Sequence, residues 1–154
     1  MKRFVLLLLI IFLSNCGFKV ATKDDFGDFK VKEVLTTGDS RVAFNLRKKI
    51  INNSSEYSKN LIKVNLQVKK IKEIKEKNIK NKITKYTIKL SASAKIEETN
   101  KITSFDITKS VSADYNVEDQ FVKTRNKERK IIKSLTNNLS DQLINAIKSQ
   151  LNAN

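Results

Sequence analysis

Strict apolar and polar alternation in the middle of the chain limits the possible folds more than any other feature. Ile62, Val64, Leu66 and Val68 share one parity, and Lys63, Asn65, Gln67 and Lys69 share the other. In an extended chain these sets fall on opposite faces, which describes a half-buried strand. After Val68 the phase slips: Ile71 has the opposite parity and Ile74 returns to the first. Either a bulge near Lys70 or a simple end of burial accounts for this. Residues 75 to 82 (KEKNIKNK) read as a basic polar connector. Tyr86, Ile88, Leu90, Ala92, Ala94 and Ile96 then hold one parity, and Glu97-Glu98-Thr99-Asn100 supplies a turn. Phe105, Ile107, Val111, Ala113 and Tyr115 alternate again, with Lys109 interrupting the same face. Short polar connections favour hairpins, so three successive antiparallel strands are expected.

Helical spacing flanks this block. Phe29 to Leu35 is rich in β-formers, and Thr36-Thr37-Gly38-Asp39-Ser40 offers turn residues and, at Asp39 or Ser40, an N-cap oxygen. From Arg41 onward Val42, Leu46 and Ile50 recur at intervals of four with Ala43 beside them, the stripe of an amphipathic helix. Arg47, Lys48 and Lys49 lie near its C-terminal end, where cations complement the helix dipole. The cluster Asn52-Asn53-Ser54-Ser55 stops it. From about Phe121 to Leu151 a second helix is expected, with Val122, Ile132, Leu135, Leu139, Leu143, Ile147 and Leu151 as its stripe, widened by Ile131 and Ile144. One-sided helices and one-sided strands bury together when both helices cover a single sheet face. The expected fold class is therefore α+β: a four-stranded, mostly antiparallel sheet with two helices packed on one face, in the order β-α-β-β-β-α. The other face would carry Lys63, Gln67, Thr87, Lys89, Ser91, Thr108 and Ser110, either merely solvated or adhesive toward a polar, anionic partner.

Chemistry is constrained by what the chain lacks. It has no His and a single Cys, so imidazole catalysis, Ser-His-Asp triads and the common zinc sites have no side chains to use. Three Gly leave no phosphate-cradling loop. Two carboxylates would suffice for a glycosidase, but the acidic residues are scattered among lysines. No enzyme, cofactor or metal is expected. The formal net charge is +15, which attracts polyanions such as anionic lipid head groups, phosphorylated glycolipid or nucleic acid. A composition crowded with Lys, Ile and Asn would produce part of that excess without any such role.

The first seventeen residues, MKRFVLLLLIIFLSNCG, combine a basic head with an apolar run from Phe4 to Leu13. That run is shorter than the roughly 20 residues needed to span a bilayer, so it reads as a secretory leader. Leu13-Ser14-Asn15-Cys16 resembles a lipobox, whose cysteine is acylated before cleavage ahead of it; the other reading is an ordinary leader with an incidental cysteine. The expected organisation is a leader over 1–15, a lipidated N-terminus and tether over 16–28, and one α+β domain over 29–154. A secreted chain also argues against a nucleic-acid partner.

Cys16-Gly17-Phe18, a strand and helix, a β-meander, then Ala113-Asp114-Tyr115 leading into the charged helix Phe121-Val122-Lys123-Thr124-Arg125-Asn126-Lys127-Glu128-Arg129, together resemble the LPS-assembly lipoprotein LptE family. Many alphaproteobacterial members of that family follow this start with a Pro-Leu-Tyr segment, whereas here Lys19-Val20-Ala21 follows. The resemblance implies a lipoprotein on the periplasmic side of the outer membrane, anchored by acyl chains on Cys16. It also implies a plug and assembly factor for the LptD-type β-barrel, binding lipopolysaccharide in transit. Gly17 agrees with the outer membrane, since Asp after the cysteine is the usual inner-membrane retention signal. Charge density and exposure single out Lys75, Lys77, Lys80 and Lys82 as candidate contacts to lipopolysaccharide phosphates, against a plain solvated loop. The competing assignment is an auxiliary lipoprotein of an ABC-type lipid transporter with a similar domain.

Overall fold

The structure, a computed structural model, describes residues 29–101 and 103–153. The leader, Cys16 and the tether lie outside the described residues. Six elements follow in the expected order: β1 (Lys30–Gly38), α1 (Ser40–Asn52), β2 (Leu61–Lys77), β3 (Ile83–Glu98), β4 (Thr103–Asn116) and α2 (Phe121–Ala153). The sheet is mixed, with order β1-β2-β3-β4. The β1–β2 pair is parallel, as the intervening helix permits, and β2–β3 and β3–β4 are antiparallel hairpins.

Register explains the core. Val64, Ile96 and Phe105 form one cross-strand row, Leu66, Ala94 and Ile107 the next, followed by Val68, Ala92 and Lys109. These rows face the helices, whose buried residues include Val42, Leu46 and Ile50 from α1 and Leu135, Leu139, Leu143, Ile147 and Leu151 from α2. Lys109 is only half-buried in its row; a lysine stem can cover apolar surface while its ammonium stays in water. Phe29, just ahead of β1, is fully buried.

Three sequence expectations need correction, and one open alternative is decided. Thr36 to Gly38 belong to β1, paired with β2 as far as Gly38↔Val68, rather than to a turn. The phase slip after Val68 is an end of burial, because β2–β3 pairing runs without a shift through Lys70 and first becomes irregular between Ile74 and Glu76. The strand then continues to Lys77, so Lys75 and Lys77 lie in β2 rather than in a connector. Val122 is 66% exposed; the first turn of α2 instead turns Thr124 inward, where its hydroxyl accepts from the Glu118 amide at 2.9 Å.

The passage from β1 to α1 is the tightest point of the chain. Gly38 takes φ +97, and a Cβ there would lie 1.8 Å from the Val68 carbonyl oxygen. That oxygen accepts the Asp39 amide at 3.1 Å. Asp39 is the N-cap of α1, its carboxylate accepting from the Val42 amide at 3.0 Å.

Candidate functional site

Among the described residues no helix covers the second face of the sheet. Its rows run Gln67–Ser93–Thr108, Lys69–Ser91–Ser110 and Glu73–Thr87–Asp114. All seven polar residues expected there lie on this face, none of them fully buried. Ser93 and Thr108 hydroxyls are 3.1 Å apart, and the Thr87 hydroxyl donates to Asp114 at 2.7 Å. Leu35 and Ile71 are large apolar exceptions, 55% and 42% exposed.

The four candidate lysines separate into two environments. Lys75 is engaged by Asp114 of β4 through an ion pair that lifts the lysine above its ordinary pKa and holds the carboxyl below its own. Lys77 ends β2, while Lys80 and Lys82 stand in the turn before β3. There the Asn78 side chain accepts both the Lys80 and Lys82 amides at 3.0 Å. Asn81 adopts φ 59, a left-handed position that asparagine tolerates. This hairpin end carries a fully exposed Ile79. The four lysines do not converge on one cavity.

Cations do converge elsewhere. A groove of about 680 Å³ opens between α1 and α2, floored by Val42, Ile132 and Thr136. On α1, Arg41, Asn45, Lys48 and Asn52 line it, spaced to share one side of the helix. On α2, Arg129, Lys133 and Asn137 stand at intervals of four and face them. The groove is bounded by two ion pairs: Asp39–Lys70 at 2.5 Å, tying α1 to β2, and Lys49–Asp141 at 3.1 Å, tying α1 to α2. Arg41, Lys48, Arg129 and Lys133 have no carboxylate within ion-pair distance among the described residues. Both walls therefore carry unneutralised positive charge.

Beside the groove, on the helix side of the sheet, Glu128 accepts from Lys72 at 2.7 Å and from the Tyr115 hydroxyl at 2.8 Å. Lys72 also sits 4.2 Å from the centroid of the Tyr86 ring, which stacks with Tyr115. Burial pushes the Glu128 carboxyl up, but the bonds from Lys72 and Tyr115 outweigh it and leave it below the usual range. This cluster neutralises itself and fixes α2 on β2 and β4. The same balance holds at Asp39, where burial is overcome by Lys70 and the Val42 amide.

A carboxylate with a depressed folded-state pKa stabilises fully above its unfolded value, about 4, and loses that contribution as pH falls through the folded value. Asp39→Asn keeps a capping oxygen but removes the charge, so at pH 7 it should cost about 0.5–1 kcal/mol. The difference in Tm from the unsubstituted protein should close as the pH is lowered toward 2. A gap independent of pH would show that the charge of Asp39 contributes nothing.

Sequence reading missed the groove because it assigned Lys48 and Lys49 to the helix dipole and took Arg129 only as part of the charged start of the second helix. The available signal was positional: Arg41, Asn45 and Lys48 immediately flank the apolar stripe of α1, and Arg129 and Lys133 flank Ile132. Among the described residues no group of His, Cys, Asp or Glu is placed to hold a metal ion, and no helix is long and apolar enough to cross a membrane.

No protein-family model matches the chain, and no curated protein matches it in sequence. Solved structures do match in fold. Rare lipoprotein B from Shewanella oneidensis superposes with TM-score 0.60 at 9% identity, over 77% of this chain and 96% of that one. Lipoprotein B from Nitrosomonas europaea gives TM-score 0.55 at 13% identity, over 89% and 94%. A minor lipoprotein from Acinetobacter baumannii gives 0.52 at 10%, over 77% and 94%. The chain thus has the β-α-β-β-β-α fold found in these bacterial lipoproteins.

Proposed function

We propose that this chain is an outer-membrane lipoprotein of the LptE type, anchored through acyl chains on Cys16, that plugs and helps assemble an LptD-type β-barrel and binds lipopolysaccharide on its way to the cell surface. The observation that carries the reading is the coincidence of a lipobox-like Cys16 with a fold shared by bacterial lipoproteins over most of their length. The uncovered sheet face supports it, because serine, threonine and lysine rows can exchange hydrogen bonds with the polar interior of a large barrel. Excess cation supports the lipopolysaccharide part, since ammonium and guanidinium groups pair with phosphate. In this reading the protein works by binding and positioning, not by catalysis.

Affinity purification of the full, tagged chain from its native membranes tests the assignment. A large β-barrel protein should be recovered with it in detergent. Recovery of inner-membrane transporter subunits instead would replace this reading with that of an auxiliary lipoprotein for an ABC-type lipid transporter.

A further inference from the structure

Two helices packed side by side ordinarily set opposite charges across their seam, or none. Here α1 presents Arg41 and Lys48 and α2 presents Arg129 and Lys133 to the same groove, all exposed and none paired with a carboxylate among the described residues. Like charges facing across a confined space repel. The arrangement becomes favourable when an anion occupies the space. We propose that this groove is a binding site for a sugar-like head group bearing two phosphates, held between Arg41 and Lys48 on one wall and Arg129 and Lys133 on the other.

Three features select that class. Arg41 and Lys48 are seven residues apart, about 10 Å along the helix. Two phosphates on a ring-sized spacer match that spacing more closely than a single compact phosphate does. The guanidinium groups offer planar forks suited to phosphate oxygens, and the lysines add mobile point charges. Asn45 lies between the two cations of α1, and Asn52 and Asn137 line the groove beyond Lys48 and Lys133; their amides both donate and accept, as sugar hydroxyls require. A volume of about 680 Å³ falls in the range of small-ligand sites and suits a ligand of one or two sugar rings. The groove's own anion, Asp39, is already satisfied by Lys70 and the Val42 amide and leaves the excess in place.

The inference deepens the proposed function by giving its ligand a location, yet it can fail separately. Glucose 1,6-bisphosphate and inorganic phosphate should be titrated calorimetrically against the acylated full chain in detergent at low salt, and a bisphosphorylated glycolipid against it in mixed micelles. The bisphosphate should bind at least about 10-fold more tightly than inorganic phosphate, and its affinity should weaken with salt. The double substitution Arg41→Gln/Arg129→Gln should lower bisphosphate affinity about 10-fold or more, and Lys48→Gln/Lys133→Gln should do likewise. All four side chains are exposed, so circular dichroism and Tm should not change. Lys59→Gln/Lys101→Gln, exposed and outside the groove, should bind as the unsubstituted chain does.

Equal affinity for bisphosphate and inorganic phosphate, or groove variants that bind normally, would overturn the proposal. Glycolipid bound equally by groove variants and the unsubstituted chain would also overturn it while leaving the broader function standing. Bisphosphate bound in the groove without any glycolipid binding would keep the site and assign it to a soluble sugar phosphate, removing the lipopolysaccharide reading.

Discussion

Leu139→Asp should eliminate the cooperative unfolding transition, and Leu139→Ala should lower the free energy of unfolding by about 2–5 kcal/mol. Leu139 is fully buried at the centre of the α2 stripe, in the same cluster as Leu90, Val111 and Leu46. A carboxylate placed there would need donors. Its nearest hydroxyls on the helix are already committed: Thr136 donates to the Ile132 carbonyl and Ser140 to the Thr136 carbonyl, each at 2.7 Å. No buried side-chain polar atom among the described residues lacks a partner, so no spare group waits to satisfy a new charge. An unpaired carboxylate in such a place either unfolds the chain or must be protonated at a cost of several kcal/mol. Leu139→Met, close in volume, should cost less than about 1.5 kcal/mol. Urea unfolding followed by far-ultraviolet circular dichroism separates the three variants. An aspartate variant with an unchanged midpoint would mean that the stripe does not face the sheet.

Gly38→Ala is expected to be nearly as damaging although it adds one methyl group. The new Cβ would overlap the Val68 carbonyl oxygen at 1.8 Å and approach its carbon at 2.9 Å. Both contacts are with backbone, which no rotamer change can relieve. The left-handed φ of +97 adds strain of about 1–3 kcal/mol for a residue with a side chain. Relief would require β1 to move away from β2 at the point where Asp39 bonds to Val68 and pairs with Lys70. A total loss of at least about 3 kcal/mol follows. Differential scanning calorimetry should register it as a large fall in Tm, and a variant melting within a degree or two of the unsubstituted protein would contradict the close approach.

Alternation was legible wherever one strand face lies under a helix. Ile62 to Val68 and Ile88 to Ile96 are buried at every second position, so the period in the sequence and the period in the structure have one cause. The same cue fades where β2 runs beyond the helices. Ile71 and Ile74 are 42% and 50% exposed, both faces meet water, and a strand carrying Lys-Glu-Lys then looks like a connector. Val122 misleads for a related reason, since the first turn of α2 precedes the part of the helix that meets the core. The four cations of the groove illustrate a different limit. Arg41 and Lys48 are separated from Arg129 and Lys133 by the whole meander, and only the placement of α1 beside α2 on one sheet face brings them together. Hydrophobic periodicity specifies which side of each helix is buried; it does not specify which helices become neighbours.

The strand order has a consequence for how the molecule can be assembled. Because β1, β2, β3 and β4 occupy the sheet in the sequence in which they occur along the chain, every strand after the first can join an open edge of its predecessor. None has to be threaded between two others already in place. A polypeptide delivered amino terminus first can therefore zip its sheet together as it arrives, with α2 closing over the finished surface last.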